Sequence, residues 1–204
     1  MNFSGNPKIG LIILAAGSSS RMNHEPKQAL RFRGKTLLRR AAETALQSEF
    51  YSTVVVLGAN QEKLRKDIED LPLKVTVNEY WESGISSSIK IGVSVLSQEN
   101  LDAIIIMLCD QPFVTTEVLQ RLRDAFVETK KPIAASEYKN TVGVPALFGC
   151  EIFAELSNLR NDEGAKKIIK TDINRVAFVA APEAAFDVDT LRDFEELKRL
   201  SFPN

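Results

Sequence analysis

Residues 9–30 read IGLIILAAGSSSRMNHEPKQAL. The first six, residues 9–14, form an apolar run of the kind found in strands that are buried on both faces. Residues 15–20 then carry no bulky side chain. Such a loop lets a ligand lie directly on the backbone and exposes N–H groups that bind anions. The stretch therefore predicts a buried strand that opens into an anion-binding loop.

Two cations, Arg21 and Lys27, follow this loop closely. Small residues and nearby positive charges together favour a polyphosphate site over a strand that merely turns into a helix. We predict that Arg21 and Lys27 act on the phosphates as catalytic residues. The residues of the loop predicted to line this polyphosphate site are Leu14, Ala15, Ala16, Gly17, Ser18 and Ser19.

Two other phosphate-binding motifs are excluded by the glycine positions. Gly17 has no neighbouring glycines that would complete a Gly-x-Gly-x-x-Gly dinucleotide fingerprint. Residues 34–36, Gly-Lys-Thr, are similar to the end of a P-loop, but Ala29 stands where that motif needs its first glycine. We therefore predict that this tripeptide begins a helix.

Residues 14–22 (LAAGSSSRM) and 26–30 (PKQAL) together resemble the signature of the molybdenum-cofactor nucleotidyltransferases, the family of the molybdopterin guanylyl- and cytidylyltransferases. The resemblance implies that the loop holds a nucleoside triphosphate and that Arg21 and Lys27 contact its phosphates. Asn23 stands where the family usually has a glycine, and asparagine tolerates a left-handed backbone better than most residues.

Composition limits the classes to which the protein can belong. A chain of 204 residues with 44% hydrophobic and 26% charged residues is typical of one globular α/β domain, which we assign to residues 1–204. A formal net charge of -1 argues against binding to nucleic acid or to a membrane surface. Cys109 and Cys150 lie far apart without metal-binding spacing, which favours a reducing, cytoplasmic location. No stretch resembles a signal peptide or a membrane span.

Apolar periodicity predicts alternating strands and helices. This alternation predicts a single-domain, Rossmann-like three-layer α/β sandwich with a mostly parallel central sheet, and the resemblance implies the version found in nucleotide-diphospho-sugar transferases. The predicted strands cover residues 9–14, 52–57, 74–77, 103–108, 132–136, 143–148 and 175–180, and the predicted helices 36–47, 60–69, 86–96, 115–129, 151–156 and 191–200, with a further helical piece after residue 161.

Asp110 follows the most apolar predicted strand, residues 103–108, which we expect at the centre of the sheet. Ligands of open α/β sheets bind at the carboxyl ends of the strands, and Mg²⁺ prefers oxygen ligands such as carboxylates. An aspartate that only forms a turn before Pro112 is the alternative. The resemblance implies that Asp110 is catalytic and binds the catalytic Mg²⁺.

A second metal-binding carboxylate is expected from Asp187 or Asp189. These two residues are two positions apart, so an extended backbone directs both to one side. The family has a similar Asp-x-Asp-Thr segment, in which we favour Asp187 as the ligand. Asp189 is expected either to join it or only to cap the closing helix, which Thr190 also suits.

Three further segments are assigned from the resemblance. The segment Gly84-x-Ser86-x-Ser88 is implied to read the nucleobase, and we also expect Ser86 to cap the helix that follows. Gly143, Pro145 and Gly164 lie in segments similar to the acceptor side of the family. Residue types alone make Trp81 a packing residue and Cys109 a small buried one.

The reaction implied by the resemblance is attack of an acceptor phosphate oxygen on the α-phosphorus of a nucleoside triphosphate, which releases pyrophosphate. CTP is expected rather than GTP, because the first loop and the Gly-x-Ser-x-Ser segment are similar to the cytidylyl branch. The implied acceptor is molybdopterin, and a molybdoenzyme or its chaperone is the implied protein partner. A sugar or alditol phosphate acceptor and a non-catalytic nucleotide-binding module remain alternatives.

Overall fold

A computed structural model describes residues 6–19 and 25–200. Its strands are β1 (Ile9–Ala15), β2 (Arg31–Phe32), β3 (Lys35–Thr36), β4 (Ser52–Leu57), β5 (Lys74–Val77), β6 (Ala103–Leu108), β7 (Ile133–Tyr138), β8 (Thr141–Gly149) and β9 (Val176–Ala180). Its α-helices are α1 (Leu37–Gln47), α2 (Gln61–Ile68), α3 (Ile85–Leu96), α4 (Thr116–Thr129), α5 (Phe153–Ser157), α6 (Ala165–Thr171) and α7 (Leu191–Arg199).

The main sheet has seven strands in the order β5-β4-β1-β6-β8-β7-β9. β8 runs antiparallel to β6 and β7, and the other neighbouring pairs are parallel. β6 occupies the central position. The predicted sandwich with a mostly parallel sheet and the central place of residues 103–108 are thus confirmed. β2 and β3 form a separate small hairpin.

The direction in which the sheet grows reverses between β1 and β6. From β1 the chain adds β4 and then β5 on one side, and it returns to add β6 on the other side of β1. Such a switch point leaves a crevice outside the carboxyl ends of the two strands, and ligands of doubly wound sheets bind there. The small-residue loop follows β1, and Asp110 follows β6.

Two apolar cores cover the faces of the sheet. α1, α2 and α4 pack on one face, and α3, α5 and α6 on the other. β1 serves both cores, because its side chains alternate between the two faces and all seven residues are buried. None of the helices in the described part of the chain combines the length and apolar character that a bilayer crossing requires.

A third apolar cluster packs the hairpin and the start of α1 against the segment that leads into α7. Phe32 of the hairpin, Val188 and Phe194 of α7 are buried in it, and the ring of Phe113 lies edge-on to both Phe32 and Phe186. This cluster fixes the segment that carries Asp187 and Asp189 beside the segment that follows the small-residue loop.

Gly92 sets the distance between α3 and the sheet. A Cβ atom at this position would lie 2.7 Å from Cγ2 and 3.0 Å from Cδ1 of Ile12. Ile12 is fully buried in β1, so it has little room to retreat. The helix that faces the crevice therefore requires glycine at this contact.

We expect Gly92→Ala to destabilise the protein by about 1 kcal/mol, because overpacking outweighs the gain in helix propensity. Urea unfolding measures the change. Ser94→Ala, on the exposed side of the same helix, is the control and should not lower the stability. A Gly92→Ala protein that is more stable than the wild type would contradict the packing contact.

Candidate active site

Gln28 holds the small-residue loop in shape. Its side chain is 1% exposed, and its amide nitrogen donates to the carbonyl oxygens of Ala15 at 3.1 Å and Gly17 at 2.7 Å. Its amide oxygen accepts from the Ser19 hydroxyl at 3.1 Å, and that hydroxyl accepts from the Lys27 backbone at 2.9 Å. The loop is therefore fixed before any ligand arrives. Sequence reasoning quoted Gln28 within the motif but gave it no role.

A cavity of about 390 Å³, which we call the first cavity, opens over this loop. Most of the residues predicted to bind nucleotide line it. These are Leu14, Ala15, Ala16, Gly17, Ser18, Lys27, Gly84 and Ser88, and Asp110, predicted to bind the metal, lines the cavity as well. Trp81, Glu82, Ile85 and Asp162 complete much of its wall. Ser19 and Ser86 do not line it, and Arg21 lies outside the described residues.

Lys27 joins two carboxylates that are distant in sequence. Its Nζ atom lies 2.5 Å from Oδ2 of Asp110 and 2.7 Å from Oδ1 of Asp189. Burial by itself lowers the pKa of the Lys27 ammonium, but the charges and hydrogen bonds of Asp110 and Asp189 outweigh it. The net pKa lies above the ordinary lysine value, so the group remains a cation.

Asp189 therefore does not cap the closing helix, and that alternative was wrong. Thr190 caps α7 by accepting from the backbone of Asp193, whose carboxylate accepts from the Thr190 backbone in return. The carboxylate of Asp189 points instead to Lys27.

The pKa of the Asp187 carboxyl is raised. Burial is the larger cause, and repulsion from the charge of Asp110 is the next.

The chemistry of these carboxylates fits a divalent cation. Oδ1 of Asp110 is buried, and among the described residues it has no hydrogen-bond partner. A buried carboxylate oxygen without a partner is costly unless something else binds it. Within residues 6–19 and 25–200, no group of three or more His, Cys, Asp or Glu side chains forms a ready metal site. Mg²⁺, however, needs only one or two protein carboxylates when phosphate oxygens and waters supply the remaining ligands.

The loop before α3 is built on Asn78. This side chain is fully buried, donates to the hydroxyls of Ser87 at 2.7 Å and Ser88 at 2.9 Å, and accepts from the backbone of Tyr80. Ser88 is thereby held at the wall of the first cavity.

The start of α3 differs from the prediction. Gly84 precedes the first helical residue and no side chain caps it, so the expectation that Ser86 caps this helix was wrong. The backbone N–H of Ser86 instead donates to the carbonyl of Asn161 at 3.1 Å. Gly84 has a φ of +93°, and a Cβ there would lie 2.4 Å from the same carbonyl oxygen. The close approach of Asn161 and the positive φ both require glycine.

A second cavity of about 200 Å³ adjoins the first, because Leu14, Ile85 and Leu108 line both. Its wall is mainly apolar. The polar or acceptor-side residues on it are Gln111, Tyr138, Gly143, Gly164, Lys166 and Asp187. Pro145, expected beside Gly143, does not reach it: the residue is buried in β8, and its carbonyl accepts from Ser136.

A larger groove of about 690 Å³ lies between Arg31, α2 and α7, and Asp110 does not line it.

The structure also shows where Cys109 and Trp81 lie, two residues to which the sequence analysis gave no chemical role. Cys109 is buried, as predicted, and burial raises the pKa of its thiol, which keeps it unreactive. Trp81 was expected only to pack, but it also lines the first cavity.

We expect Gln28→Glu to cost about 2 kcal/mol or more of stability, because a buried carboxylate would face the carbonyls of Ala15 and Gly17 that now accept hydrogen bonds. Gln47→Glu, at an exposed position at the end of α1, is the control and should change stability by less than about 0.5 kcal/mol. Equal urea midpoints for the two variants would show that Gln28 does not anchor the loop.

The fold and the loops are shared with known proteins. Residues 11–176 match the MobA-like NTP transferase domain. Nicotine blue oxidoreductase of Paenarthrobacter nicotinovorans is 36% identical over 118 residues, which are 57% of this chain and 56% of that protein, so the match spans just over half of its length. The purine catabolism protein PucB of Bacillus subtilis (strain 168) is 27% identical over 198 residues, 92% of this chain and 95% of that protein.

Solved structures agree with these matches. Rv0371c of Mycobacterium tuberculosis H37Rv superposes with a TM-score of 0.84 at 30% identity, over 96% of this chain and 99% of that one. A second structure of Rv0371c is a complex with manganese and superposes with a TM-score of 0.79 at 28% identity, over 94% and 98% of the two chains. Because the domain match covers most of the sequence, the chain belongs to the MobA-like NTP transferase family.

Proposed function

We propose that this protein is a Mg²⁺-dependent nucleotidyltransferase that moves CMP from CTP to a phosphate-bearing acceptor, with molybdopterin as the acceptor. One observation carries the proposal. Lys27 and Asp110 line the first cavity together with residues 14–18 of the small-residue loop, and the ammonium of Lys27 also contacts Asp189. Backbone donors and a lysine suit a triphosphate, and carboxylates suit the cation that accompanies it.

In the proposed reaction an oxygen of the acceptor phosphate attacks the α-phosphorus. The bond between the α-phosphorus and the bridging oxygen to the β-phosphate breaks, and pyrophosphate leaves with the electron pair. No protein nucleophile is needed, so catalysis depends on positioning and charge neutralisation. Mg²⁺, when bound, would supply Lewis-acid stabilisation of phosphate oxygens.

The roles of the side chains follow from their places. Asp110 would hold the metal together with Asp189 or Asp187. Lys27, which lies at the same cavity and is cationic, would offset charge on the triphosphate and on the leaving group. Arg21 is proposed for the same task on the basis of its place in the motif. Gln28 would keep the loop N–H groups directed at the phosphates.

The two adjoining cavities support separate places for the two substrates. The first cavity, with Gly84 and Ser88 on its wall, would take the nucleotide, and the second, with Gly143 and Gly164, would take the acceptor. The preference for cytosine rests on the likeness of the Gly-x-Ser-x-Ser segment to the cytidylyl branch. The manganese in the Rv0371c complex supports a divalent cation in this family.

Free Cys109 and Cys150 agree with a reducing compartment, and we propose a cytoplasmic location without nucleic-acid or membrane partners. A molybdoenzyme or its chaperone is the proposed recipient of the product.

The name of the relative nicotine blue oxidoreductase indicates redox chemistry in that protein. This chain has no Gly-x-Gly-x-x-Gly fingerprint for a dinucleotide, so we do not propose such chemistry here.

The direct test is pyrophosphate release from CTP, GTP, ATP and UTP, each with molybdopterin, a sugar phosphate or an alditol phosphate, with and without Mg²⁺. We expect release with CTP and molybdopterin only when Mg²⁺ is present. Release with a sugar phosphate but not with molybdopterin would show that the acceptor is a sugar phosphate. Nucleotide binding without release under any condition would show a non-catalytic module, and the single Trp81 gives a fluorescence signal for that binding.

Asp110→Asn should lower turnover about a hundredfold or more while the protein stays folded, because the amide cannot supply the negative charge that a metal needs. Asp124→Asn, on the exposed face of α4, is the matched control and should retain full turnover. Normal pyrophosphate release by Asp110→Asn would remove this residue from the metal site.

A further inference from the structure

The contact between Lys27, Asp110 and Asp189 lies at the crevice beside the carboxyl ends of β1 and β6. The ammonium of Lys27 holds together two carboxylates from positions 83 and 162 residues further along the chain. The ammonium thus stands between the same side chains that the proposed function assigns to a divalent cation.

The carboxylate of Asp110 is only half satisfied by this contact. Oδ2 accepts from Lys27, whereas Oδ1 is buried and, among the described residues, accepts from none. A third carboxylate, Asp187, is close enough to Asp110 to be repelled by it. One ammonium therefore faces more negative charge than it neutralises, whereas a divalent ion would balance that charge better.

Hydrogen bonds hold the backbone of Lys27, whereas its side chain could also contact a ligand on the small-residue loop. The N–H of Lys27 donates to Ser19, and its carbonyl accepts from the N–H of Leu30. The side chain lines the same cavity as Ala16, Gly17 and Ser18. Because the lysine side chain is flexible and lines the same cavity as the loop, a turn of the ammonium toward a phosphate on the loop would need no movement of the backbone.

We propose that Lys27 is a placeholder cation: in the nucleotide-free protein its ammonium holds Asp110 and Asp189 together in place of the divalent ion, and it leaves them for the triphosphate when metal and nucleotide bind. This proposal rests on the proposed function and adds to it a reason for cooperative binding of metal and nucleotide. The metal alone competes with Lys27, and the metal with a triphosphate does not, so each ligand strengthens the binding of the other.

The test is the affinity for Mn²⁺ alone, measured by electron paramagnetic resonance of the free ion. Lys27→Met removes the competing charge and should bind Mn²⁺ about tenfold tighter than the wild type. Lys27→Arg keeps a cation there and should bind as weakly as the wild type. Lys170→Gln, at an exposed position in the last turn of α6 and outside both cavities, controls for a general loss of positive charge and should also leave the affinity unchanged.

A non-reacting CTP analogue should tighten Mn²⁺ binding to the wild type and have a smaller effect on Lys27→Met. Lys27→Gln is measured in parallel, so that the test still decides if the methionine variant does not fold without metal. The proposal is overturned if the uncharged variants bind Mn²⁺ no tighter than the wild type, or if Lys27→Arg or Lys170→Gln tightens binding as much as they do. None of these affinities depends on turnover, so absent pyrophosphate release would contradict the proposed function and not the placeholder.

Discussion

Parallel pairing of β1 with β6 brings the loop after β1 and the carboxylate after β6 to the same edge of the sheet. The two strands are buried, and their register pairs Leu14 with Leu108 at the ends from which the loop and Asp110 emerge. Backbone hydrogen bonding between the strands therefore sets the distance between the small-residue loop and a carboxylate that lie far apart in sequence. The apolar cores on both faces keep this pair rigid, and the loops can vary without disturbing it.

Contacts between loops complete the crevice. Gln28 ties the segment after the loop back to the end of β1, and the aromatic cluster around Phe113 brings in the segment of Asp187 and Asp189. The backbone bond from Ser86 to Asn161 joins the start of α3 to the loop that precedes α6. The two cavities share Leu14, Ile85 and Leu108 as wall residues, so they form one continuous crevice.

Much of the fold was predictable from the sequence because apolar runs and turn residues reflect local physics. Residues 103–108 identify the central strand by their apolar character alone, and Thr36 does cap α1. The prediction that residues 34–36 begin a helix was otherwise wrong, because Gly34 forms the turn of the hairpin and Lys35 lies in its second strand. Contacts that depend on three-dimensional proximity were not predictable. The bonds of Gln28 to two carbonyls, the role of Asp189 as a partner of Lys27 rather than a cap, and the backbone contact of Ser86 all join segments whose separation no local pattern encodes.

The proposed function requires that a divalent ion and a triphosphate bind together at the switch point between β1 and β6. A crystal structure with Mn²⁺ and a non-reacting CTP analogue, with the metal located by anomalous scattering, would show whether they do. We expect the manganese peak beside Asp110, with Asp189 or Asp187 as a further ligand, the phosphates on the backbone of residues 15–18, and Lys27 turned toward the phosphates. A manganese peak away from Asp110, or a nucleotide in the groove between α2 and α7, would contradict the claim.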